Sequence, residues 1–314
     1  MRSREPEELV RAATAGDRAA LARLLSLIER GGAPARQVGR LTFPLGGRGY
    51  SVGLTGAPGA GKSTLTDRLI ALVRAAGDEV GVLAVDPTSP FSGGAILGDR
   101  VRMQEHALDP GVFIRSMATR GHLGGLALAT REAARALDAV GLPIVLIETV
   151  GVGQVEVDIA QAADTTVVVV TPGWGDSVQA NKAGLLEVAD VFVVNKADRP
   201  GVADTQRDLE LMLEMSAPAD WRPPIVRAVA ADGQGTAEVW AAIGEHRRHL
   251  EESGLLAERR RRRLRDELRE IVVRRIEAEA YERWGQAGLD DLMARMEARE
   301  LDPYAAADLL LTPT

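Results

Sequence analysis

Several residues with a use in phosphate chemistry fall within one short stretch, "GAPGAGKST" at 56–64. A strand-like run precedes it and a helix-like run follows. The backbone N–H groups of such a loop can surround a phosphate, while Lys62 reaches the β- and γ-phosphate oxygens and Ser63 offers its hydroxyl to Mg²⁺. A glycine turn that merely opens a helix would need neither a lysine nor a serine at this spacing. We therefore predict a nucleotide phosphate site formed by Gly56, Ala57, Pro58, Gly59, Ala60, Gly61, Lys62, Ser63 and Thr64, with Lys62 also catalytic.

A second motif, "NKAD" at 195–198, follows a strand-like run. The Asp198 carboxylate can accept hydrogen bonds from N1–H and the exocyclic amine of guanine, which adenine does not offer in that geometry. The stem of Lys196 can lie over the base plane. Asparagine and aspartate also end strands in proteins without a ligand, but a strand end downstream of a phosphate loop favours base recognition. We predict GTP or GDP as the ligand, held by Asn195, Lys196 and Asp198, with Ala230 and Ala231 also lining the site.

Acidic residues near other strand-like runs suggest a metal site. Glu148 lies in "IVLIET", Asp86 ends "VGVLAVD", and Asp99 follows in "ILGDRVRM". An aspartate before a proline, such as Asp86, is often only a turn residue, but convergence on the same sheet edge favours metal binding. We predict Mg²⁺ ligation by Ser63, Asp86, Asp99 and Glu148, and a contact between the Gly151 N–H and the γ-phosphate.

The elements that would position these residues follow an α/β pattern. Short apolar runs alternate with longer helical stretches, which predicts βαβ units and a mostly parallel sheet. Valine-rich runs are typical of strands buried on both faces. The predicted strands are "YSVGLT", "VGVLAVD", "GVFIRSM", "IVLIET", "TTVVVV", "VFVVN" and "IVRAVA", and the predicted helices lie at 62–76, 124–139, 204–215 and 236–250.

Both ends of the chain are predicted to be helical. Residues 5–30 have apolar side chains at helical spacing, with one or two helices that stop at the Gly31-Gly32 pair. The stretch 255–284 predicts a long helix, and its arginine run 259–263 is compatible with nucleic-acid binding. Interleaved acids favour instead a solvated, ion-paired face. The predicted divisions are an N-terminal helical segment, 1–45, a GTPase domain, 46–252, and a C-terminal helical arm, 253–314.

The composition narrows the class of protein. The 314 residues are 46% hydrophobic and carry a net charge of −7, which argues against a nucleic-acid partner. The absence of cysteine excludes disulfides and thiolate metal sites. No apolar run suits a membrane helix or the core of a secretory signal, and the acid-rich start is unlike a mitochondrial transit peptide. We therefore expect a cytoplasmic protein with no membrane partner. His246 and His249 are interpreted as surface residues rather than metal ligands.

Together these motifs resemble the MeaB/ArgK/MMAA family of P-loop GTPases. The resemblance implies a GTPase that is slow alone and stimulated by an adenosylcobalamin-dependent acyl-CoA mutase, methylmalonyl-CoA mutase above all. Such a protein gates delivery of the cobalamin and protects or reactivates the mutase, and it forms a homodimer through the C-terminal arm. The segments that carry the resemblance are "GAPGAGKST", "DPTSPFSGGAILGDRVRM", "FIRSMATRGHLGGLA", "ETVGVGQVEVD", "GDSVQANKAGLLEVADVFVVNKAD" and "LDPYAAADLLL".

The resemblance also assigns a use to the loop at 171–184, "TPGWGDSVQANKAG". The family has a third mobile loop, switch III, in which an aspartate, a glutamine and a lysine mediate the response to the mutase. These positions correspond to Asp176, Gln179 and Lys182. Lys182 is expected to approach the transferring phosphate when the mutase docks, because a cation there stabilises the developing charge. Trp174 in the same loop could anchor an interface or simply pack.

Two other residues and two other functions stay open. Arg120 and His122 could contact the partner or only order a loop and a helix cap. A metal-loading GTPase could share this core, but it usually carries a Cys- or His-rich tract, which this sequence lacks. A transport-associated kinase would need a substrate pocket beside the γ-phosphate, and no sequence motif indicates one.

Overall fold

The structure, a computed structural model, describes residues 5–86, 106, 108–118, 123–149, 162–173, 188–215 and 220–311, the side chains at 86, 118 and 123–126 excepted. The chain divides into two compact units, Met1–Ala257 and Glu258–Thr314. The three-part division at 45/46 and 252/253 stays a prediction.

Three α-helices lie between residues 5 and 45, namely α1 (Pro6–Thr14), α2 (Arg18–Arg30) and α3 (Gly32–Thr42), and a short 3₁₀ helix (Phe43–Leu45) follows them. The sequence predicted one or two helices that stop at the glycine pair. α2 does end there, because Gly31 has a φ of 70°, a left-handed value that glycine adopts without steric cost. The difference is that α3 begins immediately afterwards, so the glycine pair is a corner between helices.

One parallel sheet forms the centre of the first unit. Among the described residues it has seven strands in the order β3-β2-β4-β1-β5-β6-β7, and every neighbouring pair is parallel. The first strand is therefore central, and the loop that follows it opens at the middle of the sheet edge formed by the carboxyl ends of the strands. The strands are β1 (Tyr50–Gly56), β2 (Val80–Asp86), β3 (Val112–Ala118), β4 (Ile144–Thr149), β5 (Thr165–Val170), β6 (Val191–Asn195) and β7 (Ile225–Ala228).

Helices cover both faces of the sheet. One face packs against α4 (Lys62–Ala75) and α7 (Thr236–Glu252), and the other against α5 (Leu123–Ala139) and α6 (Val202–Met215). β4, β5 and β6 are buried at every position. The prediction of an α/β fold whose valine-rich strands are buried on both faces is thus confirmed.

The N-terminal helices contact β3 and the segment that directly precedes it. Arg18 donates hydrogen bonds to the carbonyls of Asp109 and Pro110, at 3.1 and 2.9 Å. Arg115 of β3 forms an ion pair with Glu29 of α2. Just before β3, Arg74 of α4 donates to Asp109, and this hydrogen bond lowers the pKa of the Asp109 carboxyl.

A chain of polar side chains lies buried at the sheet edge formed by the amino ends of the strands. The Tyr50 hydroxyl is 2.6 Å from Thr165 Oγ1, which is 2.8 Å from His246 Nδ1, and His246 Nε2 is 3.2 Å from a carboxylate oxygen of Asp190. Burial raises the pKa of Tyr50 to about 12. Tyr50 and Thr165 begin their strands, and Asp190 directly precedes β6.

The interpretation of His246 as a surface residue is wrong, since the residue is 0% exposed. It lies on the same stripe of α7 as Val239, Ile243 and Leu250, which faces the sheet, so helical spacing directs the imidazole inward. His249, three residues later, is half-buried.

The second unit is helical. α8 (Leu255–Glu297) extends beyond the predicted stretch 255–284, although Gly285 has a non-helical backbone, with φ 61° and ψ 176°. α9 (Pro303–Leu311) follows. Along α8 the ion pairs join residues four apart, as in Arg262–Glu258 and Arg274–Glu270. These pairs agree with the solvated, ion-paired face that the interleaved charges predicted.

Within the described residues, every helix is too short or too polar to span a membrane.

Candidate nucleotide site

The phosphate loop occupies the turn between β1 and α4. Gly56 ends the strand with a φ of 138°, and a Cβ there would lie 2.0 Å from the Val169 carbonyl oxygen of β5. Gly61 has a φ of 90°, and its Cβ would lie 2.3 Å from the side-chain nitrogen of Asn195. Only glycine fits at these two positions, because neighbouring strands approach the loop so closely. The motif's spacing is therefore required by packing as well as by phosphate binding.

Lys62 is buried inside this loop, with an exposed fraction of 6%. Its ammonium donates hydrogen bonds to the carbonyls of Gly56, at 2.6 Å, and Ala57, at 3.1 Å. The loop thus holds the lysine charge at its own centre, where the backbone N–H groups of a helix N-terminus also favour an anion.

Ser63 and Glu148 meet across the first turn of α4. The Ser63 hydroxyl is 2.5 Å from a carboxylate oxygen of Glu148, and both residues are buried. β4 places Glu148 there, because it pairs with β1 in a register that sets Glu148 opposite Leu54. Two oxygen donors of this kind at a phosphate loop fit Mg²⁺, which prefers carboxylate and hydroxyl oxygens and keeps several waters.

The two other predicted metal ligands are only partly located. Asp86 ends β2 at the same sheet edge, since Ala84 pairs with Glu148 and Val85 with Thr149. The side chain of Asp86 and all of Asp99 lie outside the described residues. Within the described part of the chain, no group of three or more His, Cys, Asp or Glu side chains is placed to hold a metal ion.

Asn195 connects the base motif to the phosphate loop. Its amide nitrogen donates to the Ala60 carbonyl at 2.7 Å, and its amide oxygen accepts from the Ala230 N–H at 3.0 Å. Lys196 has a left-handed φ of 57°, uncommon for a residue with a side chain, and its ammonium donates to the Gly59 carbonyl at 2.6 Å. The predicted base-binding and phosphate-binding residues therefore form one hydrogen-bonded assembly.

The remaining base-site residues lie beside it. Asp198 is exposed in the turn after β6, Ala230 is buried and Ala231 is exposed. Arg68 of α4 donates to the carbonyls of both alanines. Sequence reasoning missed Arg68, because an arginine in the second turn of a helix looks like any solvated residue.

The loop at 171–184 leaves the same sheet edge. β5 ends at Val170, and Val169 pairs with Gly56 of the phosphate loop. Asp176, Gln179 and Lys182 lie outside the described residues, and so do Gly151, Trp174, Arg120 and His122. Their predicted roles stay predictions.

A comparison with known families decides what this site belongs to. The family model described as methylmalonyl-CoA mutase-associated GTPase MeaB matches residues 21–284. The chain belongs to the MeaB family. The predicted family, its P-loop GTPase fold and GTP hydrolysis as its activity are thereby confirmed.

Individual relatives agree with this MeaB-family assignment. A Pyrococcus abyssi protein named as a candidate GTPase is 51% identical over 309 residues, covering 97% of this chain and 95% of the relative. GTPase ArgK of Escherichia coli is 38% identical over 258 residues, 79% of this chain and 78% of the relative. The solved structure of a protein named LAO/AO transport system kinase superposes with a TM-score of 0.70 at 27% identity, over 99% of this chain and 97% of that one.

Proposed function

We propose that this MeaB-family GTPase serves an adenosylcobalamin-dependent acyl-CoA mutase, with methylmalonyl-CoA mutase as the leading partner. It gates delivery of adenosylcobalamin and protects or reactivates the mutase. The observation that supports this proposal is the family match over residues 21–284, which contains every nucleotide motif and the whole loop at 171–184. The cytoplasmic location stays a prediction.

At the nucleotide site, GTP binding exchanges contacts within the loop for contacts to phosphate. The Lys62 ammonium leaves the carbonyls of Gly56 and Ala57 and binds the β- and γ-phosphate oxygens. The displacement of the ammonium is small, because these carbonyls belong to the loop that surrounds the phosphates. Ser63 and Glu148 hold Mg²⁺, with Asp86 and Asp99 as further proposed ligands. When bound, Mg²⁺ neutralises charge on the phosphates. Gly151 is proposed to contact the γ-phosphate.

The use of lysine in this chain supports a catalytic part for Lys182. The chain has only three lysines, Lys62, Lys182 and Lys196, and the rest of its 38 lysine and arginine residues are arginines. Lys62 and Lys196 both place their ammonium groups on carbonyls of the phosphate loop. A compact ammonium and a planar guanidinium are not interchangeable at such a site. The third lysine, in a loop that starts at the same sheet edge, is therefore the candidate for the mutase-dependent step, together with Asp176 and Gln179.

The test is GTP hydrolysis with and without the mutase. We expect the mutase to stimulate the parent protein about a hundredfold or more, as a cation supplied to the transferring phosphate does. Lys182→Ala should lose the stimulation and keep the basal rate, whereas the neighbouring Asn181→Ala should keep both. If none of the methylmalonyl-, isobutyryl-, ethylmalonyl- and hydroxyisobutyryl-CoA mutases stimulates hydrolysis, the proposed partner is wrong. The assignment as a GTPase would be unaffected.

The same assay separates this function from a kinase, which is what the name of the structural relative describes. GTP labelled at the γ-phosphate should release its label as inorganic phosphate and transfer none of it to the mutase, to the GTPase itself or to a small-molecule acceptor. Label recovered on an acceptor would favour the kinase function.

We also propose that α8 pairs with α8 of a second copy, in antiparallel orientation. Leu264, Leu268, Val272 and Ile276 form a stripe along the helix and are each 43–62% exposed. Charge is divided along the helix: residues 259–275 carry nine arginines and three acids, whereas 276–297 carry two arginines and six acids. Antiparallel pairing centred on the stripe places residues 277–281, with Glu277 and Glu279, opposite the arginine run 259–263, whereas parallel pairing brings the two arginine runs together.

The absence of cysteine makes this arrangement testable by engineered disulfides. In antiparallel pairing Leu264 of one copy lies opposite Ile276 of the other, so Leu264→Cys combined with Ile276→Cys should cross-link two chains under mild oxidation. Each single variant should stay uncross-linked. Cross-linking by the single variants would instead indicate parallel pairing. A monomeric mass in light scattering would contradict the proposed homodimer.

A further inference from the structure

Arg68 connects the phosphate-loop helix to the turn that carries Ala230 and Ala231. Its Nε donates to the Ala230 carbonyl at 3.1 Å, and its Nη2 donates to the Ala231 carbonyl at 2.7 Å. Two successive carbonyls are thus bound by one guanidinium, whose planar donors have a fixed spacing. Arg68 is half-buried, and in this arrangement it fixes the orientation of two backbone carbonyls instead of presenting a free positive charge.

The turn at 229–232 is held from its other side as well. The Asp232 N–H donates to the Val229 carbonyl at 3.0 Å, which closes a β-turn with the two alanines at its centre. The Ala230 N–H donates to Asn195, which in turn donates to Ala60 of the phosphate loop. Hydrogen bonds therefore run in a closed ring from α4 through the turn and Asn195 back to the loop that precedes α4.

Ala231 is the exposed member of the turn. Its carbonyl is directed to Arg68, and among the described residues its N–H has no acceptor. A backbone N–H fixed in this way is a donor for an oxygen acceptor such as O6 of guanine, and it disfavours the amine that adenine carries at the same position.

We propose that Arg68 is a positioning residue for base recognition. It holds the turn at 229–232 so that the Ala231 N–H faces the purine, and it thereby sets the affinity for bases with an oxygen at position 6. This role rests on the proposed placement of Ala230 and Ala231 at the guanine base. Arg68 takes no part in hydrolysis, since its guanidinium is occupied by the turn.

The test compares nucleotides that differ at single positions of the base. GDP and IDP share O6 and differ in the 2-amine, whereas ADP lacks O6. Arg68→Ala should weaken GDP and IDP binding by the same factor, about tenfold, because a loosened turn must be ordered again on binding. ADP binding should change by less than about twofold, so guanine selectivity over adenine falls. Arg68→Lys should recover only part of the loss, because an ammonium cannot bind both carbonyls in one plane.

Two controls separate positioning from folding and from catalysis. Arg74→Ala removes another arginine of the same helix, one that binds Asp109 away from the turn, and it should leave GDP affinity unchanged. Turnover at saturating GTP should stay within about twofold of the parent in Arg68→Ala while KM rises. GDP affinity equal to the parent's, a changed GDP-to-IDP ratio, or a fall in turnover without a rise in KM would each overturn the proposal.

If the proposed guanine site itself is wrong, the nucleotide affinities will show a different pattern. A parent protein with no preference for GDP over ADP would show that the base site itself is wrongly assigned. A parent that prefers GDP, with Arg68→Ala preferring it equally, would overturn only the role of Arg68.

Discussion

The carboxyl and amino edges of the sheet both carry buried polar side chains, but these side chains are used differently. At the carboxyl edge, the Lys62 ammonium donates to a carbonyl of the phosphate loop, and the Ser63 hydroxyl donates to the Glu148 carboxylate. A bound ligand can replace these partners. At the amino edge, successive pairs among Tyr50, Thr165 and His246 lie within hydrogen-bond distance, and His246 lies 3.2 Å from the carboxylate of Asp190.

The difference shows how one sheet separates function from stability. Polar groups at the carboxyl edge lie at loops and helix N-termini, where N–H groups remain available to an anion. Polar groups at the amino edge are enclosed by α7 and by Trp221, whose indole ring lies 4.9 Å from the His246 ring. Variants at the first edge should therefore alter activity, and variants at the second should alter unfolding.

The largest effect is expected for Lys62→Ala. Loss of the cation that we propose for the β/γ-phosphates should reduce GTP hydrolysis by about a thousandfold. The melting temperature should stay close to the parent's, because removing a buried positive charge offsets the loss of its hydrogen bonds to the carbonyls of Gly56 and Ala57. Rates and thermal unfolding should be measured on the same preparation. A protein that unfolds instead of losing only activity would break the division between the two edges.

The second effect belongs to the amino edge. His246→Ala should lower the free energy of unfolding by about 3 kcal/mol, because Thr165 and Asp190 lose a partner in the interior. His249→Ala, on the same helix and half-buried, should cost less than about 1 kcal/mol. KM for GTP should stay unchanged in both. Equal losses in the two variants, measured by denaturant unfolding, would contradict a special role for the buried histidine.

The two edges also differ in how much of them the sequence could predict. Phosphate and base sites need particular residue types at fixed spacing next to a strand, so Lys62, Ser63, Glu148 and Asn195 could be named from the sequence alone. The partners of His246 are 81 and 56 positions away along the chain, so no local pattern connects them. Helical spacing with Val239, Ile243 and Leu250 is the one local signal that position 246 faces inward, and the interpretation of His246 as a surface residue did not use it.

Arg68 and Gly285 illustrate two other reasons why prediction stopped short. The hydrogen bonds of Arg68 depend on where a distant turn lies, which only the packed fold determines. Gly285 lies inside a helical pattern, where a glycine is compatible with either a continuous helix or a break. The order of strands was also beyond the sequence, because βαβ units predict parallel pairing without ranking the neighbours.

A pH-dependent loss of stability should come from Tyr50. Burial raises the pKa of Tyr50 to about 12 from 10.0. Between these values the unfolded chain releases the phenolic proton and the folded chain retains it, so the free energy of unfolding falls as pH rises. The stabilisation is fully present well below pH 10, and about 2 kcal/mol of it is lost by pH 12. Tyr50→Phe should flatten the fall in melting temperature above about pH 10, whereas Tyr281→Phe, 60% exposed, should reproduce the parent's profile.

The smallest effects come from a matched pair of substitutions, Glu148→Gln and Asp190→Asn, each of which replaces a buried carboxylate by its amide. Glu148 is 1% exposed and Asp190 6% exposed. At the carboxyl edge the amide keeps an oxygen for the Ser63 hydroxyl and removes a desolvated charge, so the apo protein should gain about 1 kcal/mol of stability. Mg²⁺ should then be needed at about tenfold higher concentration for half-maximal hydrolysis, because the carboxylate that we propose as a metal ligand is lost.

At the amino edge the same exchange should act in the opposite direction. Asp190 accepts a hydrogen bond from the Thr166 N–H and faces His246, and an amide offers one acceptor oxygen where the carboxylate offers two. Asp190→Asn should therefore lose about 1 kcal/mol of stability and leave the Mg²⁺ requirement unchanged. The proposal is supported if the free energy of unfolding rises in Glu148→Gln and falls in Asp190→Asn, and if only Glu148→Gln changes the Mg²⁺ requirement. A buried carboxylate would then lower stability at a ligand site and raise it where protein groups already bind it. Equal signs would mean that the two edges do not differ in this respect.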